Sequence, residues 1–226
     1  MEGRLVPETP MRRAVARRMT DSKREAPHFY VQTEVAVDPV RERIAALNED
    51  GDAPRVTMTA ALVLACVTAL RAQPKFNSIW TPDGLFQADD VNVGVAIALD
   101  DGLVAPALLG ADGLDVRAAA TALRDLGDRA RAMRLRPAEL SGATFTLSNL
   151  GMFDVTAFTA IVTPPQVAIL ATARPVERWT AAGGVGILTA TLSADHRALD
   201  GVDAARFLET FKQAMEDPAT LLKEAM

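Results

Sequence analysis

The sequence has one cysteine, few aromatic residues and no long hydrophobic run. The single thiol of Cys66 excludes an intramolecular disulfide and a metal site built from several thiolates. Its place in an apolar run predicts a buried side chain. The longest apolar segment, 56–70, is shorter than the ~20 residues of a membrane-spanning helix, and the charged N-terminus has no secretory signal. We therefore expect the chain in the cytoplasm or an organelle matrix, without a membrane partner.

An excess of positive charge is also missing. Lys and Arg number 24 against 29 Asp and Glu, which gives a formal net charge of −5. Nucleic-acid binding relies on cations that replace phosphate counterions, so nucleic acid is not expected as the main partner. The glycines at 183, 184 and 186 lie between predicted strands, which favours a hairpin turn over a phosphate-binding loop. No metal site is predicted.

The length and composition are typical of one globular domain. Of the 226 residues, 49% are hydrophobic and 23% are charged, and a chain of this size can bury roughly 70% of its unfolded surface. Gly3, Pro7 and Pro10 predict a linker remnant at 1–10, which leaves 11–226 as the folded domain.

Hydrophobic periodicity, prolines and capping residues predict the helices and strands. Helices are expected at 11–25, 39–47, 57–72 and 202–215, from Asp115 to about 134 with an exit at Pro137, and from Pro218; strands are expected at 29–37, 144–148, 166–173 and 184–193, with a hairpin inside 91–109 that turns at Asp100, Asp101 and Gly102. This mixture predicts an α/β (α+β) fold, a two-layer sandwich whose mixed β-sheet is covered mainly on one side.

The motif DHRALDG at 195–201, between a strand and a helix, is the best candidate for chemistry. An unperturbed histidine has a pKa near ~6.5, so His196 is mostly the free base at neutral pH and can take a proton from a thiol of pKa about 8.5. Asp200 is expected to hold the loop, and Arg197 to pair with Asp195 or Asp200. These residues alone leave a structural role for His196 open, although charged groups in an apolar stretch are seldom buried unless paired or functional.

A second candidate is the strand end TFTLSNLG at 144–151. The hydroxyl of Ser148 can stabilise an oxyanion, or it can simply bond its own backbone at a strand terminus. His28 is expected to be structural. The arginine-rich first helix is expected to face solvent, with Arg17 or Arg18 as an alternative inward partner of Asp200.

Four blocks occur in the order found in one known family, and together they cover nearly the whole sequence. The blocks are MRRAVARRMTDSKREAPHFY, NVGVAIALDDGLVAPAL, TFTLSNLGMFDVTAFTAIVTPPQVAIL and DHRALDG. The chain thereby resembles the catalytic domain of the dihydrolipoamide acyltransferases, the core components of 2-oxo acid dehydrogenase complexes. The resemblance implies the fold of chloramphenicol acetyltransferase, a trimeric building block and an active site between subunits. It also implies that His196 is the general base, that Asp200 has a structural role beside it, and that Ser148 of the adjacent subunit donates to the tetrahedral oxyanion.

The resemblance further implies transfer of an acyl group between a dihydrolipoyl thiol and coenzyme A. The third block is most similar to pyruvate-complex members, so acetyl is the expected group. Coenzyme A is a substrate, and the lipoyl group is expected on a domain outside this sequence. The implied partners are that lipoyl domain, the decarboxylase and dihydrolipoamide dehydrogenase components, and further copies of the chain in a homotrimer or a larger cubic or dodecahedral core.

Two alternatives remain open at this point. One is a standalone acyltransferase that uses coenzyme A or a carrier protein as donor and acts on the hydroxyl or amine of a small molecule. The other is a non-catalytic structural component of the core. The sequence predicts no residue for coenzyme A contact, and it offers Leu221, Leu222 and Met226 as side chains that dock in a neighbouring subunit.

Overall fold

The structure is a computed structural model that describes residues 1, 3–49, 51, 53–99, 102–181 and 183–224. Its helices are α1 (Pro10–Glu25), α2 (Asp38–Leu47), α3 (Met58–Ala72), α4 (Val116–Arg131), α5 (Pro137–Ser141), α6 (Gly201–Glu216) and α7 (Pro218–Leu221). Its strands are β1 (His28–Ala36), β2 (Ser78–Thr81), β3 (Gly84–Gln87), β4 (Val93–Val95), β5 (Ile97–Leu99), β6 (Gly102–Val104), β7 (Ala107–Leu108), β8 (Phe145–Asn149), β9 (Ala168–Thr172), β10 (Val176–Thr180) and β11 (Gly183–Asp195). The helices and strands that the sequence predicted agree with these bounds to within a few residues, but β2, β3 and β10 were not predicted, and the region 91–109 contains four short strands instead of two.

The main sheet has seven strands and is mixed. Its order is β1-β11-β9-β8-β4-β7, and β10 pairs with the first part of β11. Strands β4, β8 and β9 run parallel to one another, whereas β1, β9 and β10 are antiparallel to β11. The thirteen residues of β11 therefore connect most of the sheet and end at the DHRALDG motif.

Helices cover one face of this sheet. The register places Leu147, Leu170 and Leu192 in one row across three strands, and all three are buried. Helix α6 packs Phe207 on this side, with its ring 5.3 Å from that of Phe145. Helix α3 has ten buried residues and joins the same core, which explains why its sequence is apolar on nearly every side. The predicted one-sided sandwich is confirmed.

Some expectations about the turns were wrong. The glycines at 183–186 lie inside β11 rather than in a turn. A side chain at 186 would meet the Asp38 carboxylate at 2.6 Å, and the Gly186 N–H donates to that carboxylate at 2.7 Å, so close approach explains the glycine. Pro137 begins α5 instead of only ending the previous helix. The predicted β5–β6 hairpin is present, but its turn residues Asp100 and Asp101 lie outside the described residues.

The C-terminal segment packs on its own chain. Leu222 is fully buried by its own chain, so the expectation that it docks in a neighbour was wrong. Leu221 is only partly buried against the core, and its docking in a neighbour stays a prediction. Met226 lies outside the described residues. Within the described part of the chain, no helix has the length and apolar character needed to cross a membrane.

Strand β1 forms one edge of the main sheet, and α6 covers part of that edge. Lys212 Nζ donates to the Glu34 carbonyl at 2.8 Å, and the Ala36 N–H donates to the Glu216 carboxylate at 3.1 Å. In an antiparallel strand, the N–H and the C=O of one residue point to the same side. The backbone groups of every second residue therefore point to that side as well. The even-numbered residues of β1 therefore present their backbone groups outward.

Candidate active site

The turn that carries His196 is held by its backbone. Strand β11 ends at Asp195, whose carbonyl accepts hydrogen bonds from the N–H groups of Ala198 and Leu199 at 3.1 and 3.0 Å. The His196 N–H donates to the carbonyl of Pro27 at 3.0 Å. The motif is thus tied both to itself and to the start of β1, which fixes the direction in which its side chains leave the sheet.

A buried ion pair supports the same turn. The Asp195 side chain, 2% exposed, accepts from Arg197 Nη2 at 2.6 Å and from its backbone N–H and Nε at 3.0 Å. This hydrogen bonding raises the pKa of Arg197. The Arg197 guanidinium also lies 4.7 Å from the ring centre of Trp80, a cation–π distance. Of the two predicted partners of Arg197, Asp195 is the one observed.

The His196 imidazole is exposed and available to a ligand. Its ring packs against Phe29, with 4.6 Å between ring centres. Among the residues that the structure describes, none hydrogen-bonds a ring nitrogen of His196. A ring whose main chain is fixed and whose nitrogens are open is able to exchange a proton with a bound group.

Asp200 caps the helix that follows. Its carboxylate accepts from the N–H groups of Val202 and Asp203 at 2.9 and 3.0 Å, and Asp203 accepts from the Asp200 N–H in return, which is a capping box. These hydrogen bonds lower the pKa of Asp200, and the bond from the Asp203 N–H has the largest effect. The charges of Lys75 and His196 act in the same direction. The geometry agrees with the predicted loop-holding role.

Ser148 opens onto a cavity on the other face of the sheet. The half-buried serine lies near the end of β8, and the cavity volume is about 450 Å³. Apolar side chains from α1, α5, β9 and the segment between β8 and β9 dominate the lining, among them Val15, Met19, Leu140, Phe158, Ile161 and Ile169. Thr146, also on this wall, donates to Gln166 Oε1 at 2.6 Å.

Residues 150–167, which we call the covering segment, supply six of the residues that line this cavity. Hydrogen bonds from α1 and β1 fix it: Arg18 donates to the Pro164 carbonyl at 2.5 Å, and the Val162 N–H donates to His28 Nε2 at 3.0 Å. His28 is therefore structural, as predicted. The alternative of Arg17 or Arg18 as an inward partner of Asp200 is not observed, because among the described residues neither pairs with it in one chain.

One chain does not bring Ser148 and His196 together. Ser148 pairs with Ala171, which pairs with Thr191 of β11. His196 lies five residues further along, about 16 Å at roughly 3.3 Å per strand residue, and two strands to the side. A single chain therefore assembles His196 with Asp200 but leaves Ser148 at a separate surface.

Sequence reasoning missed Trp80 as a contact of the motif. It lies on β2, in the β2–β3 hairpin that the sequence did not predict, and no short-range signal links it to Arg197. Phe29, at the start of the strand predicted at 29–37, was not predicted as a contact of His196. Cys66 is buried, and burial raises the pKa of its thiol. The described residues contain no cluster of histidine, cysteine or acidic side chains that could hold a metal.

Comparison with known proteins places this geometry in a family. Residues 2–223 match the 2-oxoacid dehydrogenases acyltransferase (catalytic domain) family. The acetyltransferase component of the mitochondrial pyruvate dehydrogenase complex of Schizosaccharomyces pombe is 36% identical over 96% of this chain and 47% of its own length. The corresponding protein of Rickettsia bellii is 35% identical over 98% of this chain and 54% of its own length. The chain thus spans about half the length of these curated relatives.

Solved structures agree. The dihydrolipoamide acetyltransferase of Azotobacter vinelandii, in which a serine, a histidine and an asparagine were studied for their catalytic role, has a TM-score of 0.92 and 28% identity, with 98% of this chain and 95% of that chain covered. A chloramphenicol acetyltransferase has a TM-score of 0.63 at 15% identity, with 88% and 94% covered, which confirms the predicted fold. The chain therefore belongs to the family of 2-oxoacid dehydrogenase acyltransferase catalytic domains.

Proposed function

We propose that the chain transfers an acyl group, acetyl by preference, between a dihydrolipoyl thiol and coenzyme A as the core of a 2-oxo acid dehydrogenase complex. The observation that carries this proposal is the His196 turn. Its imidazole is exposed with both nitrogens open, while hydrogen bonds to Pro27, Asp195 and the α6 cap hold its backbone.

In the proposed reaction His196 acts as a general base. It removes the proton from the attacking thiol, and the thiolate adds to the thioester carbonyl of the other substrate to give a tetrahedral oxyanion. When this intermediate collapses, the departing sulfur takes the proton back from His196, so the histidine ends as it began. No acyl-enzyme forms, and base catalysis of this kind contributes roughly 10²- to 10⁴-fold to turnover.

Ser148 is proposed as the oxyanion donor, supplied by an adjacent copy of the chain. The separation of about 16 Å along the strands within one chain supports this arrangement, because a single chain cannot place both groups on one carbonyl. A ring of three chains would put each Ser148 beside the next His196. We propose this homotrimer as the building block, alone or within a cubic or dodecahedral core.

The cavity beside Ser148 favours binding of the lipoyl arm over binding of the nucleotide part of coenzyme A. Its lining is mostly apolar, with Arg18 as the cation on its wall. The dihydrolipoyl arm is uncharged and largely apolar, whereas coenzyme A carries phosphates that favour a polar, cationic surface. At about 450 Å³ the cavity is in the range of small-molecule sites.

The relative from Azotobacter supports the assignment of roles. The histidine and asparagine studied there lie four residues apart, the same spacing as His196 and Asp200. Both Asn and Asp cap helix N-termini well. We accordingly assign Asp200 the structural task of holding the α6 end of the His196 loop.

The remaining assignments rest on the same family membership. From the composition of 1–10 we propose a linker ahead of a catalytic domain at 11–226, although α1 begins at Pro10 with Thr9 as its cap, and we propose that the enzyme acts in the cytoplasm or an organelle matrix. Its proposed partners are a lipoyl domain and the decarboxylase and dihydrolipoamide dehydrogenase components.

The decisive experiment measures acyl transfer from acetyl-coenzyme A and longer acyl-coenzyme A donors to free dihydrolipoamide. We expect the acetyl donor to be the best, and His196→Ala to lose at least 10²-fold in turnover while the fold is retained. Ser148→Ala is expected to lose about 10²- to 10³-fold in kcat with little change in KM. Near-normal turnover in His196→Ala contradicts the mechanism.

Acceptor choice separates the open alternatives. Transfer to a small hydroxyl or amine compound, with none to dihydrolipoamide, indicates a standalone acyltransferase. Trimers or larger particles with no transfer to any acceptor indicate a non-catalytic core component.

A further inference from the structure

The covering segment is held at one residue from two sides. The Val162 N–H donates to His28 Nε2 at 3.0 Å, and the Val162 carbonyl accepts from Ser22 Oγ at 2.6 Å. Val162 itself is buried. Its sequence neighbours Ile161 and Thr163 both line the Ser148 cavity. Since consecutive Cα atoms are ~3.8 Å apart, a displacement of Val162 moves both of these wall residues.

The partners of His28 fix one form of its ring. Nδ1 lies 2.8 Å from the carbonyl oxygen of Ala26, which can only accept. Nδ1 must therefore carry the hydrogen, and Nε2 has the lone pair that accepts the Val162 N–H. The neutral Nδ1–H ring is the form that satisfies both neighbours, so its polar groups are fully used in holding the backbone.

Ser22 is an unusual residue for its helix. Among the residues of α1, Ser22 is the buried one, with 0% of its surface exposed. A buried hydroxyl is costly unless it is hydrogen-bonded, and its bond to Val162 meets that need. Helix α1 and the start of β1 thus bond the two peptide units that flank one residue of the covering segment, Val162.

We propose that His28 and Ser22 are positioning residues that hold Val162, and with it the cavity wall, where the dihydrolipoyl acceptor needs it. This inference rests on the proposed function for the identity of the acceptor. It assigns neither residue to proton transfer: His28 has both ring nitrogens occupied, and Ser22 is buried against a carbonyl. Their effect is on how well the acceptor thiol is bound and oriented.

Two substitutions of His28 separate its contacts. The amide oxygen of His28→Gln reaches about as far as Nε2 and can accept the Val162 N–H, whereas the shorter amide of His28→Asn reaches only the position of Nδ1. We expect His28→Asn to raise the KM for dihydrolipoamide about tenfold, the size of one buried hydrogen bond. The KM for acetyl-coenzyme A should stay within about twofold and kcat within about threefold, and His28→Gln should remain within about threefold of wild type in every constant.

Ser22→Ala tests the same contact from the other side. It should reproduce the rise in acceptor KM, and the double variant Ser22→Ala with His28→Asn should be little worse than His28→Asn alone, because both changes release the same residue, Val162. If His28→Asn fails to fold, Ser22→Ala alone still tests the proposal.

A measurement without catalysis completes the design. Hydrogen–deuterium exchange of the peptide that contains Val162 should be faster in His28→Asn and near wild type in His28→Gln. The inference is overturned if His28→Gln is as impaired as His28→Asn, if both substrates lose affinity equally, or if only thermal stability changes. Absence of transfer to dihydrolipoamide by the wild type would refute the proposed function instead, while exchange still reports whether His28 holds the wall.

Discussion

Replacement of Asp195 by Asn tests whether the buried ion pair positions His196. The substitution keeps the shape of the side chain but removes the charge that receives two guanidinium nitrogens of Arg197, the closer at 2.6 Å. Hydrogen bonds to charged groups are worth about 1.5–3 kcal/mol, against about 1 for neutral ones. The Arg197 side chain is 32% exposed and stays partly solvated. We therefore expect the free energy of unfolding to fall by about 2 kcal/mol, rather than by the full charged-to-neutral difference for both hydrogen bonds.

The assay has a stability and an activity arm. For a domain of this size about 2 kcal/mol lowers Tm by roughly 4–8 °C, measured at fixed chain concentration because subunit association also stabilises the fold. Turnover should fall by about 10²-fold, since a reacting group displaced by about 1 Å loses that much. The fall should be in kcat rather than in the KM of either substrate.

Asp128→Asn is the matched control. Asp128 pairs with Arg131 at 3.2 Å, but both side chains are about two-thirds exposed, so its loss should cost under about 0.5 kcal/mol and leave turnover unchanged. If the two substitutions destabilise the fold equally, the larger stabilisation assigned to the buried Asp195–Arg197 pair is refuted. Full turnover in a destabilised Asp195→Asn enzyme would show that the ion pair does not position His196.

Three further predictions concern other side chains. Arg129 and Arg136 hold the pKa of the buried Glu139 well below its usual 4.5. A carboxylate with a lowered pKa in the folded state stabilises the fold at a pH above its unfolded pKa, and this stabilisation is lost on acidification. The free energy of unfolding should therefore fall below about pH 4.5, and less steeply in Glu139→Gln, as chemical denaturation at several pH values would show. Cys66 should resist a thiol reagent until the chain unfolds, because burial raises its pKa; rapid labelling of native protein would contradict its burial. Asp200→Asn should keep the α6 cap and near-normal turnover, whereas Asp200→Ala should cost about 1 kcal/mol in denaturant unfolding; equal losses in both would assign the carboxylate a role beyond capping.

Local patterns were sufficient for most of the fold. Apolar periodicity over ten residues or more located α3, α4 and α6, and the side chain of Asp115 accepts from the Ala118 N–H at the predicted start of α4. The DHRALDG motif was recognisable because charged residues interrupt an otherwise apolar stretch. In each case the information lies within one or two turns of the chain.

What the sequence did not predict depends on distant contacts. The four-residue strands β2 and β3 are too short for a periodic signal, and Phe86 on β3 is exposed, so neither alternation nor burial identifies the hairpin. Trp80 reaches Arg197 across more than a hundred residues of sequence. The shared bonding of Ser22 and His28 to Val162 is equally hidden, because each residue taken alone is a polar group in an ordinary helix or strand.

The partial cover of β1 by α6 limits what can pair with the open side of the sheet. An unprotected edge is a template for strand addition and aggregation, and here the outward groups of Glu34 and Ala36 are already bonded to Lys212 and Glu216. The part of the edge at 28–32 is therefore what remains for an incoming strand. Neutralising Lys212 and Glu216 together would extend that part to the whole strand.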